Sequence, residues 1–483
     1  MKRKGKHSPT KPRPGTNQEH AAQAHENTSA WRSVLHGILF LLFVIAVKEL
    51  LVSHTTTFGL LDKHLRTAAY DLSQDWIRVT RRGKIPVAVV NIGALSPCPT
   101  PENPNPRKAL QQALAAVLQQ EPAAVAIDID FSPGADLSCR NAVVPYAAAT
   151  VPIDCSAPAV SDLEWTDRGG PPFFQYCLAT KQKIFLGVYR QQYHNRDQWL
   201  GGSEYAPLAA SLLVPPEGLE REEGKKEGQQ ARLYMARYVQ GCERLDSVSQ
   251  RLALAYGHDA RPTMRRFIGS IVPAWLKSRL IGNFIEGNRV VTSSASSASI
   301  FLVDFSALPK LEEEQATFSN GALTHAEDLK GKLVLLGYTD VKNPATDKFI
   351  APGEQEQAAG VFWHACGADT LISGALLQPT PLGSLVLDLA LYLPIILLVS
   401  WANVHFKEGH GEETRERVEW FATKALALLI FLCGTYFVGR LRIVWADFLI
   451  VAVIVLIHPS LEEHLTLSSR WIWGKIRPSE VSE

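Results

Sequence analysis

No Cys-x-x-Cys pair occurs among the 483 residues, so neither a zinc ribbon nor a thioredoxin-like redox centre is supported. The segment GKLVLLG (Gly331 to Gly337) lacks the Gly-x4-Gly-Lys-Ser/Thr spacing that cradles phosphates, and neither a Gly-x-Ser-x-Gly elbow nor a His-Glu-x-x-His pair is found. No internal repeat is visible. Charge of one sign is also missing: a formal net charge of +1 gives no electrostatic footprint for nucleic acid.

What is present is a bracket of apolar segments. Val34 to Val47 is nearly unbroken, closes on Lys48 and Glu49, and continues through Leu50, Leu51 and Val52. It covers the ~30 Å hydrocarbon core if Lys48 extends its amine to the interface. Further segments run over 382–404, 420–438 and 443–458. Trp401, Trp420, Tyr436 and Trp445 lie near their ends, where aromatic rings favour the headgroup region. The mean hydropathy of -0.02 conceals them, because the polar stretch between dilutes four apolar segments. Buried core helices would read the same way one at a time; as a set, membrane spans are the expectation.

The flanks orient the spans. Lys2, Arg3, Lys4, Lys6, Lys11, Arg13 and Arg32 precede the first span, and Lys407, Arg415 and Arg417 lie between the second and third. Arg470, Lys475 and Arg477 follow the last, whereas the opposite side offers only Arg440 and Arg442. The excess of basic residues places both termini in the cytoplasm and the large insert outside. A cleaved signal peptide is the alternative, but Ser53, His54 and Thr55 show no small-x-small site, which favours a retained anchor. The organisation is then a disordered basic arm (1–33), an anchor (34–53), an extracytoplasmic domain (54–381), three spans and a short tail (459–483).

Of the seven cysteines, Cys98, Cys139, Cys155, Cys177, Cys242 and Cys366 lie in the insert and Cys433 in the third span. An oxidising compartment permits disulfides; Cys139–Cys155, closing a Pro-rich loop, is the best candidate pair, against free buried thiols. Glu217 to Gln230 is hydrophilic and reads as an exposed excursion.

Within the insert, Pro86 to Ile92 and Ala123 to Ile129 are short, Val- and Ala-rich runs of strand length. Between them, Pro106 opens a helix whose apolar face is Leu110, Leu114, Val117 and Leu118. Strand, helix, strand at this spacing is a βαβ unit with a right-handed crossover. Further strands are predicted at Ile184 to Tyr189, Ile300 to Phe305 and Lys332 to Leu336, and a helix over Gly360 to Ser373. Gly201 to Gly282 reads as mostly helical or irregular. The predicted fold is an α/β extracytoplasmic domain with a partly parallel sheet, joined to four transmembrane helices.

Asp128 and Asp130 fall at the carboxyl end of a predicted parallel strand, where open α/β sheets place ligand crevices. Alternate residues share a face, so both carboxylates can serve one cleft, toward a cationic ligand or a metal. Equally, one can cap the following turn and the other hold the helix start at Arg107. Arg107, at a helix N-terminus, suits an anionic ligand or an ion pair with Asp128. His364 and Asp369 lie on the last predicted helix of the insert, with Asp347 in the loop before it. Their five-residue separation does not stack His364 and Asp369 on one face, so a structural, hydrogen-bonded histidine is the competing reading. In the spans, Asp388, Lys424 and Asp447 are candidate polar groups for coupling or for helix packing.

At these residues the chain resembles the type-two CHASE domain, an extracellular sensory module associated with cyclases and histidine kinases. The resemblance rests on VAVVNIGALSP (Val87 to Pro97), PNPRKALQQAL (Pro104 to Leu114), AAVAIDIDFSP (Ala123 to Pro133), LKGKLVLLGYTD (Leu329 to Asp340), TDKFIAPG, and AGVFWHACGADTLISGALL (Ala359 to Leu377). These blocks follow the family order, and the three closing spans match its layout. Asn91 stands where the family usually has an acidic residue, and Cys139 to Gly282 has no block that aligns. The resemblance adds Asn91 and Ser96 to the candidate ligand-binding residues. It implies a non-enzymatic receptor of the bacterial inner membrane, requiring no cofactor, that detects a small molecule, a peptide or a stress outside. The family's kinase or cyclase normally follows the last span; the short tail here leaves the output to a separate cytoplasmic partner, with a homo-oligomer as a possible assembly. A membrane-anchored metal-dependent hydrolase built on Asp128, Asp130 and His364 is the alternative, and a transporter or channel subunit the lesser one.

Overall fold

The computed structural model describes residues 56–80, 84–95, 106–131, 170–188 and 203–212, then 219–256 and 280–394 with interruptions, and pieces of 424–436 and 443–444. The chain divides into two compact units: residues 68–382 with 438–444, and residues 1–67, 383–437 and 445–483. The first unit contains the α/β domain. In the second, residues 383–391 and 428–436 are helical pieces. No helix among the described residues is long and apolar enough to cross a membrane. The apolar segment 34–53 lies outside those residues, 382–404 and 420–438 are described in part, and 443–458 only at its first two residues.

The described chain begins with helix α1 (Thr56–Thr80). It is followed by β1 (Val87–Asn91), α2 (Pro106–Leu118), β2 (Ala124–Ile127), α3 (Gly170–Ala179), β3 (Lys183–Val188) and β4 (Ala209–Ser211). Next come β5 (Leu219–Arg221), β6 (Gln229–Ala231), β7 (Leu233–Gln240), β8 (Glu243–Asp246) and α4 (Val248–Tyr256). Then follow β9 (Asn283–Glu286), β10 (Arg289–Thr292), β11 (Ser299–Leu302), α5 (Leu308–Glu313), β12 (Ala316–Ser319) and β13 (Ala322–Thr324). The domain closes with β14 (Leu333–Gly337), β15 (Lys348–Ile350), β16 (Gln357–Ala359) and α6 (Gly360–Ser373).

The main sheet has the order β13-β12-β1-β14-β2-β3-β4. Every pairing from β12 to β4 is parallel, while β13 closes the edge as an antiparallel hairpin on β12. That hairpin turns at Asn320 and Gly321, both with positive φ (52° and 80°), the pairing a tight primed turn requires. The predicted βαβ unit is present, but β14 runs between its two strands, from 200 residues further along the chain. The carboxyl ends of β1, β14 and β2 are therefore neighbours, in register through Val90↔Leu336 and Leu336↔Ile127.

Both faces of the sheet are covered, which explains why its strands read as near-continuous apolar runs. Alternation divides them cleanly. Ala88, Val90, Val125, Ile127, Val334 and Leu336 join Leu110, Leu114, Val117, Phe173 and Phe174 of α2 and α3 in one layer. Val87, Val89, Ala124, Ala126, Leu333 and Leu335 join Val248, Leu252, Val361, Ala365 and Ala368 of α4 and α6 in the other.

Two sequence expectations are corrected. The stretch from Gly201 to Gly282, expected to be helical or irregular, contributes β4 through β8 besides α4. Its principal strand, β7, is Arg- and Gln-bearing, and only Tyr234 and Ala236 supply the inward period-two signal. The strand expected over Ile300 to Phe305 ends at Leu302 and pairs antiparallel with β7 in a separate sheet, because Asp304 caps a short turn by accepting from the Ser306 N–H at 2.9 Å. The ends of the hydrophilic excursion pair as the β5–β6 hairpin.

Candidate functional site

The carboxyl ends of the central parallel strands bring together residues from four parts of the chain. Asp128 follows β2 directly; its N–H donates to Leu336 O at 2.8 Å, extending the ladder one residue beyond the strand. His364 sits in the second turn of α6, buried at 5 % exposure. Asp347 immediately precedes β15, and its carbonyl accepts from the Gly360 N–H at 2.7 Å, which ties the loop to the start of α6. Tyr234, near the start of β7, is fully buried.

Close approach of α6 to the sheet needs the absence of side chains at two points. A Cβ on Gly337, the last residue of β14, would lie 2.8 Å from Val361 Cγ2 and 3.2 Å from Asp128 Cβ. A Cβ on Gly367 would lie 2.7 Å from Ser249 Oγ and 3.3 Å from Tyr234 Cδ2. Both distances are below ordinary van der Waals contact, so these glycines set how near His364 comes to Asp128 and Tyr234.

The resulting cluster is a short polar chain in an apolar layer. Tyr234 Oη lies 2.5 Å from His364 Nδ1, with the two rings edge to face. His364 Nε2 faces Asp128 Oδ1 at 3.6 Å, with side-chain exposures of 7 % and 15 %. Ser249 Oγ donates to the His364 carbonyl at 2.7 Å. Burial pushes the Tyr234 hydroxyl far above its ordinary range, so it keeps its proton, and which of the two atoms donates in the bond to Nδ1 follows the imidazole tautomer.

Burial acts oppositely on the two titrating partners. It raises Asp128 from 3.8 to about 7, and lowers His364 from 6.5 to about 4 against the attraction of Asp347. Asp347 is also raised, by desolvation first and then by the charge of Asp128, while His364 opposes the rise and Asp130 adds to it. By area Asp347 is exposed at the rim; the upward direction stands because the two aspartates push the same way as the protein mass on its inner side. Near neutrality the cluster therefore holds a neutral imidazole beside a half-protonated carboxyl, a state that responds to small changes in surroundings.

Asp128, Asp347 and His364 thus converge as candidate residues, with Asp130 at the edge acting on Asp347. Arg107 stands on the other layer, its guanidinium 4.3 Å above the Phe131 ring and its charge acting on Tyr338. Asn91 ends β1, and its side chain accepts from the Gly93 N–H at 2.8 Å, a local turn. Asp369 is fully buried in α6, more than a turn beyond His364. Asp388 is buried and Lys424 exposed, both in the second unit. Ser96, Asp447, Cys139 and Cys155 lie outside the described residues. Cys177 and Cys366 are free and buried, and Cys433 is free. Among the described residues no group of three His, Cys, Asp or Glu side chains is arranged to hold a metal ion.

Tyr234 and Ser249 were not found by reading the sequence. The only signal was the period-two placement of Tyr234 and Ala236 on β7, in a region with no recognisable block.

A family model for the CHASE2 domain matches residues 40–402. No curated protein and no solved structure matches the chain.

Proposed function

The chain belongs to the CHASE2 domain family, whose members are extracellular sensory domains, and from that premise we propose that it is a membrane-anchored receptor. Its α/β domain lies outside the bacterial inner membrane, held by the apolar segments at 34–53, 382–404, 420–438 and 443–458, with both termini in the cytoplasm. A small molecule, a peptide or a change of conditions acts on the carboxyl edge of the sheet, and the spans pass the change to a cytoplasmic effector. The observation that supports this most is the reach of the family match, which runs from inside the first apolar segment to near the end of the second.

The cluster suits reception rather than turnover. Asp128, His364 and Tyr234 form a satisfied, mostly buried chain in which a change of one proton or one hydrogen bond alters the contact between β2 and α6. Such a change shifts a conformational equilibrium only if the stimulus favours one of the two states. Two measurements test the reading. Reporter fusions at the N-terminus, within the hydrophilic excursion and at the C-terminus should give inside, outside and inside. Crosslinking in membranes should capture a cytoplasmic protein whose yield differs between the wild type and Asp128→Asn. An excursion found in the cytoplasm, or no captured protein under any condition, overturns it.

A further inference from the structure

The described part of α1 carries a single buried face: Ala69, Tyr70, Ser73, Gln74 and Ile77 are all at 3 % exposure or less. That spacing is one helical stripe. Its polar members close on a short segment after β11. Tyr70 donates its hydroxyl to Val303 O at 2.6 Å, and Gln74 Oε1 accepts from the Phe305 N–H at 2.7 Å. Gln74 Nε2 reaches the same Val303 carbonyl at 3.5 Å.

The other side of this segment is held by α6. The Asp304 N–H donates to Thr370 Oγ1 at 2.8 Å, and Thr370 in turn donates to the Cys366 carbonyl at 2.6 Å. The Phe305 ring lies on Phe349 (centroids 5.6 Å apart) and Phe349 on Trp363 (5.4 Å), the residue before His364. Trp363 also meets Tyr234 edge to face at 6.4 Å. Three consecutive main-chain groups, Val303 O, Asp304 N and Phe305 N, are therefore satisfied by side chains of two helices that have no other sequence relation. α1 follows the first apolar segment, and α6 precedes the second.

We propose that Val303 to Phe305 is a coupling joint, through which the seating of α1 on the domain and the state of the Asp128–His364–Tyr234 cluster depend on one another. Tyr70, Gln74 and Thr370 are its positioning residues. The joint rests on the receptor reading for its purpose, but not for its detection, because linkage between two sites is reciprocal and needs no effector to be measured. The groups facing the cluster are Asp128 and Asp130 after β2, Asp347 before β15, Tyr234 of β7 and Ser249 of α4; the joint itself carries the buried Asp304, with Asp369 of α6 buried beside Thr370, and Asp128→Asn separates the cluster's titration from theirs.

The test is amide hydrogen exchange of the full chain in lipid nanodiscs, followed over residues 68–80 and corrected for the intrinsic rate. Wild type should show a change in α1 protection of about threefold or more between about pH 5 and about pH 8, the size of a modest coupling. Asp128→Asn should remove the change. Thr370→Val should also remove it, Thr370→Ser should keep it, and Arg78→Ala, which breaks only the surface pair with Glu354, should leave it intact. A flat wild-type profile, or a Thr370→Val response equal to wild type, overturns the joint. If reporter fusions place the excursion inside while exchange still couples, the receptor reading fails and the joint stands.

Discussion

The two faces of the central sheet are built from the same strands yet do different things. The face under α2 and α3 is packed with apolar and aromatic side chains, with Phe131, Phe173, Phe174 and Tyr205 in mutual ring contact at 5.2 to 6.1 Å. Cys177, a buried thiol on this face, is pushed up to about 12 by burial and is inert as a nucleophile. The face under α4 and α6 is also packed with apolar side chains but admits an imidazole, a carboxyl and a phenol. Burying such groups costs free energy unless they satisfy one another. One layer supplies stability; the other gives some of it up to hold a carboxyl raised to about 7 beside an imidazole lowered to about 4.

That contrast can be broken from the stable side first. Phe173→Ala should destabilise the domain by about 3–5 kcal/mol, by lost burial plus a cavity, with no change in its pH dependence. Thermal unfolding at several pH values checks both parts. Gly337→Val should cost about 1–3 kcal/mol by forcing α6 off the strand ends, and should alter the titration of His364 as well, since the glycine sets that distance. Tyr234→Phe is the smallest: about 0.5–1.5 kcal/mol for one hydrogen bond, with a change in the imidazole tautomer balance once Nδ1 loses its partner. Nitrogen chemical shifts of labelled histidine report that change directly.

The legible part of this architecture was the part with local periodicity. β1, α2, β2, β14 and α6 each follow from an apolar run or stripe bounded by Pro or Gly, and β3 from an apolar run alone. Asp128 and His364 were legible because they sit on such elements, at a strand end and on a helix. β14 running between β1 and β2 was not, since strand order is set by long-range pairing that no local pattern records. Tyr234 was hidden for the same reason. It belongs to a strand in a separate sheet, in a region without a recognisable block, and reaches the cluster only through tertiary packing.

The most direct test of a shared, displaced proton is stability against pH in the wild type and two single variants. Between about pH 4 and about pH 7 the folded pair holds one proton, on Asp128; between 3.8 and 6.5 the unfolded chain also holds one, on the imidazole. The proton counts nearly match, so the pair contributes little slope in the wild type. In Asp128→Asn only His364 remains, depressed in the fold, and stability should rise as pH goes from about 4 to about 6.5. In His364→Gln only Asp128 remains, raised in the fold, and stability should fall from about pH 4 to about 7. Each tilt is on the order of 1.4 kcal/mol per pKa unit displaced. Opposite tilts, measured relative to wild type, are the predicted result; two flat profiles, or two tilts of the same sign, would contradict the account.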